Sequence, residues 1–344
     1  MIDFFDNWYL GQNWDDFEGA LNEYETFLNV IEYGGENIPS FMPNYGPGIM
    51  AAVFGIEPKF QSRTNWFHRE TSVEEIVPLL ESAKLNMNNP WYARLKKVTE
   101  IAAKRAKGNY NVSITDIGGV LDILSSFLGP TNILLIMRRN PEIIDSCRAI
   151  ILEKLLKVYD DLQTIIDQYC DGFNSWMNIW CPKRWYPIQC DFSAMLNPKW
   201  FKRFALPDII AQAEHMDYAI YHLDGPNALV HLNDLLETPS ITGIQWVPGA
   251  GKDLLSSEKW MPIYNKIQAT GKSVVLDLFP EPEQLSYFYK VLNPKLIYSC
   301  TIFMDRARAL FYLPKFIGGE GGEGNYREYK KEYRKRMKLQ KFTE

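Results

Sequence analysis

The sequence predicts a single (β/α)8 TIM barrel with a helical N-terminal extension and a short basic C-terminal tail. Short apolar segments of strand character follow one another from Ile38 onward, and helical segments separate most of them. Strands that alternate with helices indicate a parallel sheet, and eight such units in a chain of 344 residues indicate a barrel. A doubly wound sheet is the alternative, but no glycine fingerprint for a dinucleotide follows the first strand.

Composition and cysteine usage narrow the class of protein. The chain is 46% hydrophobic and 23% charged, which is typical of a globular protein with a large core. Its formal net charge of -5 gives no reason to expect a nucleic-acid partner. The 5 cysteines form no regular framework, residues 1–6 lack the features of a signal peptide, and no segment has the about 20 apolar residues of a membrane helix. We therefore expect a cytoplasmic protein that contacts no membrane.

Three helices are marked by apolar spacing and by residues that start or end a helix. Residues 13–33 carry apolar side chains at helical spacing. Residues 73–106 are interrupted near Asn88-Asn89-Pro90 and end in a Lys/Arg-rich turn that suits a helix C-terminus. Pro141 opens a long helix over residues 141–169. The remaining predicted helices cover residues 198–215, 227–237, 257–270 and 281–291.

The predicted strands are short apolar runs that end in polar or turn-forming residues. The first is followed by Tyr45-Gly46-Pro47-Gly48, where glycine lets the backbone approach a ligand closely. In (β/α)8 barrels the reactive groups gather at the carboxyl ends of the strands, so the residues at these ends are candidates for one site. The strands cover residues 38–44, 112–119, 173–180, 187–195, 218–225, 243–249, 273–279 and 296–303.

The strand over residues 218–225 ends in two groups that can act chemically. Side chains i and i+2 of a strand point to the same side, so His222 and Asp224 face the same space. They could bind a metal ion or a substrate; alternatively, a hydrogen bond between them closes the end of the strand. A convergence of such groups at the strand ends favours an enzyme over a binding module or scaffold. The converging residues are Tyr45, Asp116, Trp176, Asp191, His222, Asp224, Gln245 and Cys300.

Aromatic side chains supply candidate substrate contacts. Tryptophans near the strand ends would form an apolar or cation-accepting wall. His68 lies in a polar loop after Trp66 and is either a substrate contact or an ordinary exposed histidine. The predicted substrate contacts are Tyr45, Trp66, His68, Trp176, Trp180, Gln245 and Trp246.

The C-terminal segment differs from the rest of the chain, so we predict a barrel over residues 1–317 and a tail over residues 318–344. Residues 317–324 are a glycine-rich, flexible hinge. Residues 327–341 are strongly basic and suit a helix. The tail is either a solvated terminal helix or a contact with a second subunit in a homodimer or with an acidic partner protein.

One stretch of the chain resembles a known family. The segment Cys190-Asp191-Phe192-Ser193-Ala194-Met195-Leu196-Asn197-Pro198, followed by Trp200-Phe201 and Phe204-Ala205-Leu206-Pro207, resembles the uroporphyrinogen decarboxylase superfamily. The resemblance extends through residues 221–225 and covers roughly residues 38–310. That superfamily contains the decarboxylase itself and zinc methyltransferases that exchange methyl groups with corrinoid proteins. All of them are TIM barrels.

The methyltransferase branch implies a metal site. Its pattern is His-x-Cys-Gly on this strand, with a second cysteine near the last strand. His222 matches this pattern, Asp224 stands where the first cysteine would be, and Cys300 lies near the predicted last strand. The resemblance therefore implies zinc held by these three side chains, with an open fourth position. One fewer thiolate would make the zinc a stronger Lewis acid and would favour a substrate other than a thiol; the departure is also compatible with a protein that binds no metal.

The decarboxylase branch fits less well. Asp116 or Asp122 would be the counterpart of the carboxylate with which the decarboxylases hold pyrrole nitrogens. However, the early arginine-rich segment of those enzymes is missing, and residues 43–48 (Pro-Asn-Tyr-Gly-Pro-Gly) stand near its place. A porphyrinogen with many carboxylates needs several cations, whereas the strand ends here carry aromatic and acidic residues. The sequence does not favour decarboxylation of a porphyrin precursor.

The sequence and the resemblance together predict a zinc-dependent methyltransferase. It would move a methyl group between a small methylated compound or thiol and a corrinoid protein. Asp116 or Asp191 would transfer a proton or orient His222. The alternative from a different class is a metal-free barrel that acts on a small carboxylic acid as a decarboxylase or lyase, or merely binds it, with His222 and Asp224 as an acid/base pair.

Overall fold

A computed structural model describes residues 16–34, 37–61, 65–249, 251–276, 282–299, 305–317 and 325–340. In these ranges the protein is a mixed α/β structure whose longer strands run parallel. The chain forms two compact units. The first contains residues 1–32 and 38–242, and the second contains residues 33–37 and 243–344.

The first unit is rich in helices that start at residues suited to capping. Ser72 and Glu75 form a reciprocal capping box at the start of α3. Asn89 accepts a hydrogen bond from the amide of Tyr92 at 3.1 Å, and Pro90 occupies the first turn of α4, so the predicted break between these helices is confirmed. The helices are α1 (Phe17–Leu28), α2 (Met50–Val53), α3 (Val73–Ser82), α4 (Pro90–Ala106), α5 (Val120–Leu128), α6 (Pro130–Arg139), α7 (Pro141–Ile166), α8 (Pro198–Trp200), α9 (Leu206–Glu214) and α10 (Leu232–Glu237).

The strands of the first unit are short, and one parallel pair positions the candidate site. Strand β5 (Trp185–Gln189) runs parallel to β6 (Tyr218–Asp224) with Gln189 opposite His222. Both residues therefore lie towards the carboxyl ends of neighbouring strands. The other strands are β1 (Ser40–Phe41), which pairs in parallel with β4 (Asn111–Val112), and β2 (Lys59–Phe60), which pairs antiparallel with β3 (Asn65–Trp66).

The core of the first unit is organised around the 26-residue helix α7. The hydroxyl of its buried Tyr159 donates a hydrogen bond to the carbonyl of Trp185 at 3.2 Å, which fixes the start of β5 against the helix. Arg148 of α7 forms a two-bond ion pair with Asp208 of α9, at 2.7 and 2.8 Å. Both side chains are buried, so this pair links the two helices within the core.

The second unit contains a parallel sheet of β7 (Gly243–Val247), β8 (Ser273–Leu276) and β9 (Ile297–Ser299). The basic tail forms a helix, as predicted, and docks through tyrosines: the rings of Tyr326 and Tyr329 lie 5.6 and 5.2 Å from that of Phe311. The helices of this unit are α11 (Met261–Ala269), α12 (Pro282–Val291), α13 (Arg306–Ile317) and α14 (Tyr326–Gln340). The residues of the predicted glycine-rich hinge from 318 to 324 lie outside the described ranges.

Several predicted boundaries change in the structure. The strand predicted over residues 173–180 is wrong: this segment makes turns, with one antiparallel bridge between Phe173 and Cys181. Gly172 and Asn178 adopt positive φ angles of 73° and 51°, which a strand does not allow. Helices α5 and α6 follow the short strand β4 and were not predicted.

Parallel strands and intervening helices are confirmed, whereas closure into one barrel stays a prediction, as does the division at residue 317.

Two further predicted elements are divided. The strand predicted over residues 187–195 ends at Gln189, and a 3-10 helix follows over Asp191–Met195. The helix predicted over residues 198–215 contains a π-helical turn at Phe201–Ala205. In the described ranges no single helix is both long and apolar enough to cross a membrane; α5 and α6 reach that apolar length only as a pair bent by 102°.

Candidate metal centre at the ends of strands β5 and β6

Asp191, His222 and Asp224 come together beyond the end of β5 and at the end of β6. One possible ligand atom of each residue lies within 4.8 Å of those of the other two. His222 and Asp224 share a side of β6 because strand side chains alternate. Asp191 begins the 3-10 helix that follows β5, and the register of the two strands places it beside them. The Nε2 atom of His222 lies 4.0 Å from Oδ1 of Asp191.

The three candidate ligands are open to solvent to different degrees. The side chain of His222 is 15% exposed and that of Asp191 is 55% exposed. The ring of Trp176 lies 5.3 Å from that of His222, with its plane at 85° to it. The indole thus restricts the orientation of the imidazole, while the carboxylate of Asp191 remains accessible from the surface. A small molecule could therefore reach this cluster.

Asp116 is a second carboxylate group of the same unit. Its Oδ1 atom accepts hydrogen bonds from the amide of Gly118 at 2.9 Å, the side chain of Gln189 at 3.0 Å and the hydroxyl of Tyr186 at 3.4 Å. Burial raises the pKa of Asp116 to about 6, with a further contribution from the charge of Asp191, although the hydrogen bonds from Gly118 and Tyr186 and the charge of His222 oppose the rise. Since the hydrogen bonds all end on Oδ1, Oδ2 is the oxygen that can hold or release a proton near neutral pH.

Asp122 lies in the first turn of α5 and accepts two backbone hydrogen bonds. Its Oδ2 atom accepts from the amide of Asp191 at 3.1 Å, and its Oδ1 atom accepts from the amide of Phe192 at 2.7 Å. Burial, with a further contribution from the charge of Asp191, raises the pKa of Asp122. Although the side chain of Asp191 is 55% exposed, the protein around it removes part of its hydration and raises its pKa, and the neighbouring His222 opposes that rise.

Apart from His222 itself, the four carboxylates around it have no cationic partner among the described residues. The ion pairs of the described ranges include no lysine or arginine bonded to Asp116, Asp122, Asp191 or Asp224. Grouped carboxylates without a countercharge raise one another's pKa. One imidazole and two carboxylates within ligand distance of one another are a donor set that divalent metal ions accept. The residues present therefore fit a bound metal ion.

His231 connects the two segments that follow the strands. It is fully buried, and its Nε2 atom lies 3.0 Å from the carbonyl oxygen of Ser193 in the 3-10 helix after β5. Its ring stacks on that of Phe201 at 4.0 Å. His231 itself ends the 3-10 helix Pro226–His231, which follows Asp224. Burial lowers the pKa of His231, so it is a neutral structural link between the two segments.

The predicted site residues are only partly brought together. Trp176 contacts His222, but Trp66 and His68 are exposed on β3 and the loop after it. Trp180 is 40% exposed and donates a hydrogen bond from its indole to the carbonyl of Asp171. Tyr45 is buried after β1, Gln245 and Trp246 are buried on β7 in the second unit, and Cys300 lies outside the described residues.

The sequence prediction did not identify the roles of Asp122, Gln189 and Tyr186. Each acts through hydrogen bonds to residues about 70 positions away in the chain. The sequence signal for Asp122 is its place in the first turn of an apolar helix, three residues after Gly119. That signal indicates a helix start but does not reveal which amides the carboxylate bonds.

The fold resembles that of a solved structure, although the sequence matches no family. No family model matches the chain, and no curated protein matches its sequence. Among solved structures it is similar to a methyltransferase from Methanosarcina mazei, with a TM-score of 0.52 and 10% sequence identity. The match covers 76% of this chain and 74% of that chain. At this identity, what the two proteins share is the fold.

Proposed function

We propose that this protein is a metal-dependent methyltransferase. It would move a methyl group between a small methylated compound or thiol and a corrinoid protein. The convergence of Asp191, His222 and Asp224 carries this proposal. The fold likeness to a solved methyltransferase supports the reaction class. The resemblance of residues 190–207 and 221–225 to the superfamily that contains the zinc methyltransferases, with His222 at the place of their histidine ligand, supports the metal and the partner.

The metal would be held by one nitrogen and two carboxylate oxygens. Asp191 enters this set in addition to the predicted ligands His222 and Asp224, because its carboxylate lies within 4.8 Å of both. Two carboxylates balance the charge of a divalent ion. Zinc is the predicted metal, and Cys300 stays a predicted ligand. A bound zinc ion would supply Lewis-acid activation of the substrate heteroatom.

The protein's own residues would orient the site and manage a proton. Trp176 packs edge-on against His222 and fixes the plane of its ring. Asp116 has a pKa of about 6, so it exists in both protonation states near neutral pH. A group with such a pKa can give a proton to a departing heteroatom or accept one from an incoming heteroatom. Gln189 and Tyr186 hold Oδ1 of Asp116 in place for that transfer.

A metal-free lyase is the second candidate, and one observation favours it. Asp116 with its raised pKa, together with the 4.0 Å approach of Asp191 to His222, resembles an acid/base arrangement that works without a metal. The substrate of such an enzyme would be a small carboxylic acid. However, the four carboxylates of the site would repel a carboxylate substrate. Methyl transfer assisted by a cation therefore agrees better with the charges present.

Metal analysis and a methyl-transfer assay test the proposal together. Protein purified without chelator should carry close to one zinc per chain, and His222→Ala should lose it. Asp253→Asn is the matched control, because Asp253 pairs with Lys259 on the surface of the second unit. With methylcobalamin as the methyl donor, the wild type should methylate at least one of a panel of small acceptors that includes amines, alcohols and a thiol; each transfer to a thiol yields the thioether, cob(I)alamin and a proton. A protein without bound metal after zinc reconstitution would refute the proposed mechanism. A zinc-loaded protein that transfers no methyl group from methylcobalamin to any of several small acceptors, nor from small methylated compounds to cob(I)alamin, would refute the reaction class.

A further inference from the structure

We propose that Asp122 is a positioning residue that holds Asp191 in place as a metal ligand. This inference rests on the proposed metal centre. We do not assign Asp122 as a metal ligand, because both of its carboxyl oxygens accept hydrogen bonds from backbone amides. It acts on the backbone that carries Asp191.

The segment that carries Asp191 requires such a support. Asp191 is the first residue of a five-residue 3-10 helix, and its side chain is 55% exposed. The first amides of a helix have no acceptor within the helix. Asp122 satisfies the amides of Asp191 and Phe192 with one oxygen each, at 3.1 and 2.7 Å. A carboxyl group that accepts one hydrogen bond from each of two consecutive amides fixes both the position and the direction of the helix start.

Gly119 makes this contact possible. A Cβ atom at Gly119 would lie 2.3 Å from Oδ2 of Asp122 and 2.3 Å from the carbonyl oxygen of Gln189. The backbone of Gly119 has φ -108° and ψ 155°, which any residue adopts. The requirement for glycine is therefore one of space. The start of α5 lies directly against the end of β5, and a methyl group would push Asp122 and Gln189 apart.

A second hydrogen bond joins the same two segments. Gln189 ends β5 and donates its side-chain amide to Asp116 at 3.0 Å. Residues 116–122 therefore meet residues 189–192 in three ways. Asp116 bonds the side chain of Gln189, Gly119 lies against the carbonyl of Gln189, and Asp122 bonds the next two amides. Asp122 is the member of this set that reaches the residue offering a metal ligand.

Three variants separate positioning from charge. Asp122→Ala removes both hydrogen bonds and the charge, whereas Asp122→Asn keeps one acceptor oxygen and should have a smaller effect. Gly119→Ala keeps the carboxylate and its charge but displaces it. Asn89→Ala is the control: Asn89 also makes two backbone hydrogen bonds, to the amide of Tyr92 and the carbonyl of Val53, and contacts none of the candidate ligands.

The first measurement is the affinity for Zn²⁺ by competition with a chelator, and for Co²⁺ from its visible spectrum. Loss of a group that orients a ligand commonly weakens metal binding by about 10–100-fold. We expect a loss in that range for Asp122→Ala and Gly119→Ala, a smaller loss for Asp122→Asn, and none for Asn89→Ala. The Co²⁺ spectrum of the first two variants should also change, because a carboxylate ligand is lost or moved.

The second measurement is hydrogen exchange at the amides of Asp191 and Phe192 in the metal-free protein. Exchange there should be faster in Asp122→Ala and Gly119→Ala than in the wild type and in Asn89→Ala. If the wild type binds neither ion, the proposed function fails, and the exchange rates still decide whether Asp122 fixes this segment. Unchanged exchange, or wild-type affinity with an unchanged Co²⁺ spectrum in folded Asp122→Ala and Gly119→Ala, overturns the positioning role.

Discussion

In the first unit, the buried Asp208 and the four aspartates around His222 differ in how their negative charge is balanced. Asp208 is buried in the core and receives two hydrogen bonds from Arg148. Burial raises the pKa of Asp208, but the guanidinium opposes the rise. In the described ranges, the carboxylates around His222 instead interact with backbone amides, a glutamine, a tyrosine, the histidine and one another. Among the residues that the structure describes, an arginine thus balances the carboxylate that serves the fold, whereas no lysine or arginine pairs with a carboxylate of the candidate metal centre.

The difference indicates what each group does. A buried ion pair that is internally balanced holds two helices together and needs nothing further. Grouped carboxylates that lack a countercharge are costly in the unliganded protein and become favourable when a cation is present. Four tests follow, and they should give effects of decreasing size if the comparison is correct.

The largest effect is expected from breaking the balanced pair. Arg148→Ala leaves Asp208 buried without its cation and should lower the free energy of unfolding by about 3–5 kcal/mol. Urea unfolding at neutral pH measures this change. Metal affinity of the folded fraction should stay at the wild-type value, since Arg148 contacts no candidate ligand. A loss of less than about 1 kcal/mol would show that the buried charge of Asp208 is stabilised without Arg148.

The next effect concerns pH and Asp116. Its pKa is about 6 in the folded protein and 3.8 otherwise, so folding favours the protonated form. The free energy of unfolding of the metal-free protein should therefore fall as pH rises from about 4 to about 6, by about 3 kcal/mol for a shift of this size. Asp116→Asn cannot ionise and should remove this part of the dependence. Urea unfolding at pH 4 and pH 7 on both proteins makes the test; an identical pH dependence in the two would contradict it.

The third effect concerns Asp224, one of the three candidate metal ligands. Asp224→Ala should weaken zinc binding by about 100-fold or more, which corresponds to about 2.7 kcal/mol. Asp224→Cys should keep or tighten zinc, because a thiolate is the softer donor, and should shift the substrate preference towards thiols. If Asp224 only closes the strand end, Asp224→Ala would instead keep all its zinc and lose about 1 kcal/mol of stability. Zinc stoichiometry and thermal midpoint of both variants distinguish these outcomes.

The smallest effect is expected at a surface ion pair. Lys157 and Asp161 lie on one turn of α7, 2.9 Å apart, and the lysine side chain is 56% exposed. Lys157→Ala should change the free energy of unfolding by only about 0.3–0.5 kcal/mol, because water and salt screen the pair. Urea unfolding of Lys157→Ala alongside Arg148→Ala compares an exposed ion pair with a buried one. A loss as large as that of Arg148→Ala would mean that burial does not govern these pairs.

Local patterns predicted the parts of the fold that depend on neighbouring residues. The helix starts at Asn89-Pro90 and Pro141 are confirmed, because capping groups and proline act within one turn. The strand that carries His222 and Asp224 is confirmed as Tyr218–Asp224, and its alternation places both residues on one side. The segment from 173 to 180 was wrong because apolar residues suggested a strand, while the backbone at Gly172 and Asn178 turns.

By itself, therefore, the sequence determined the helix starts at Pro90 and Pro141, the parallel α/β class and the shared facing of His222 and Asp224. Only the tertiary structure decided that Asp191 joins them and that Asp122 bonds its amide. Alternation and capping are set by the geometry of a few consecutive residues, so they can be read from the chain. Asp122 and Asp191 are 69 positions apart, and their contact depends on the packing of α5 against the end of β5. That packing, which a methyl group at Gly119 would prevent, is set by the assembled core and not by any local pattern.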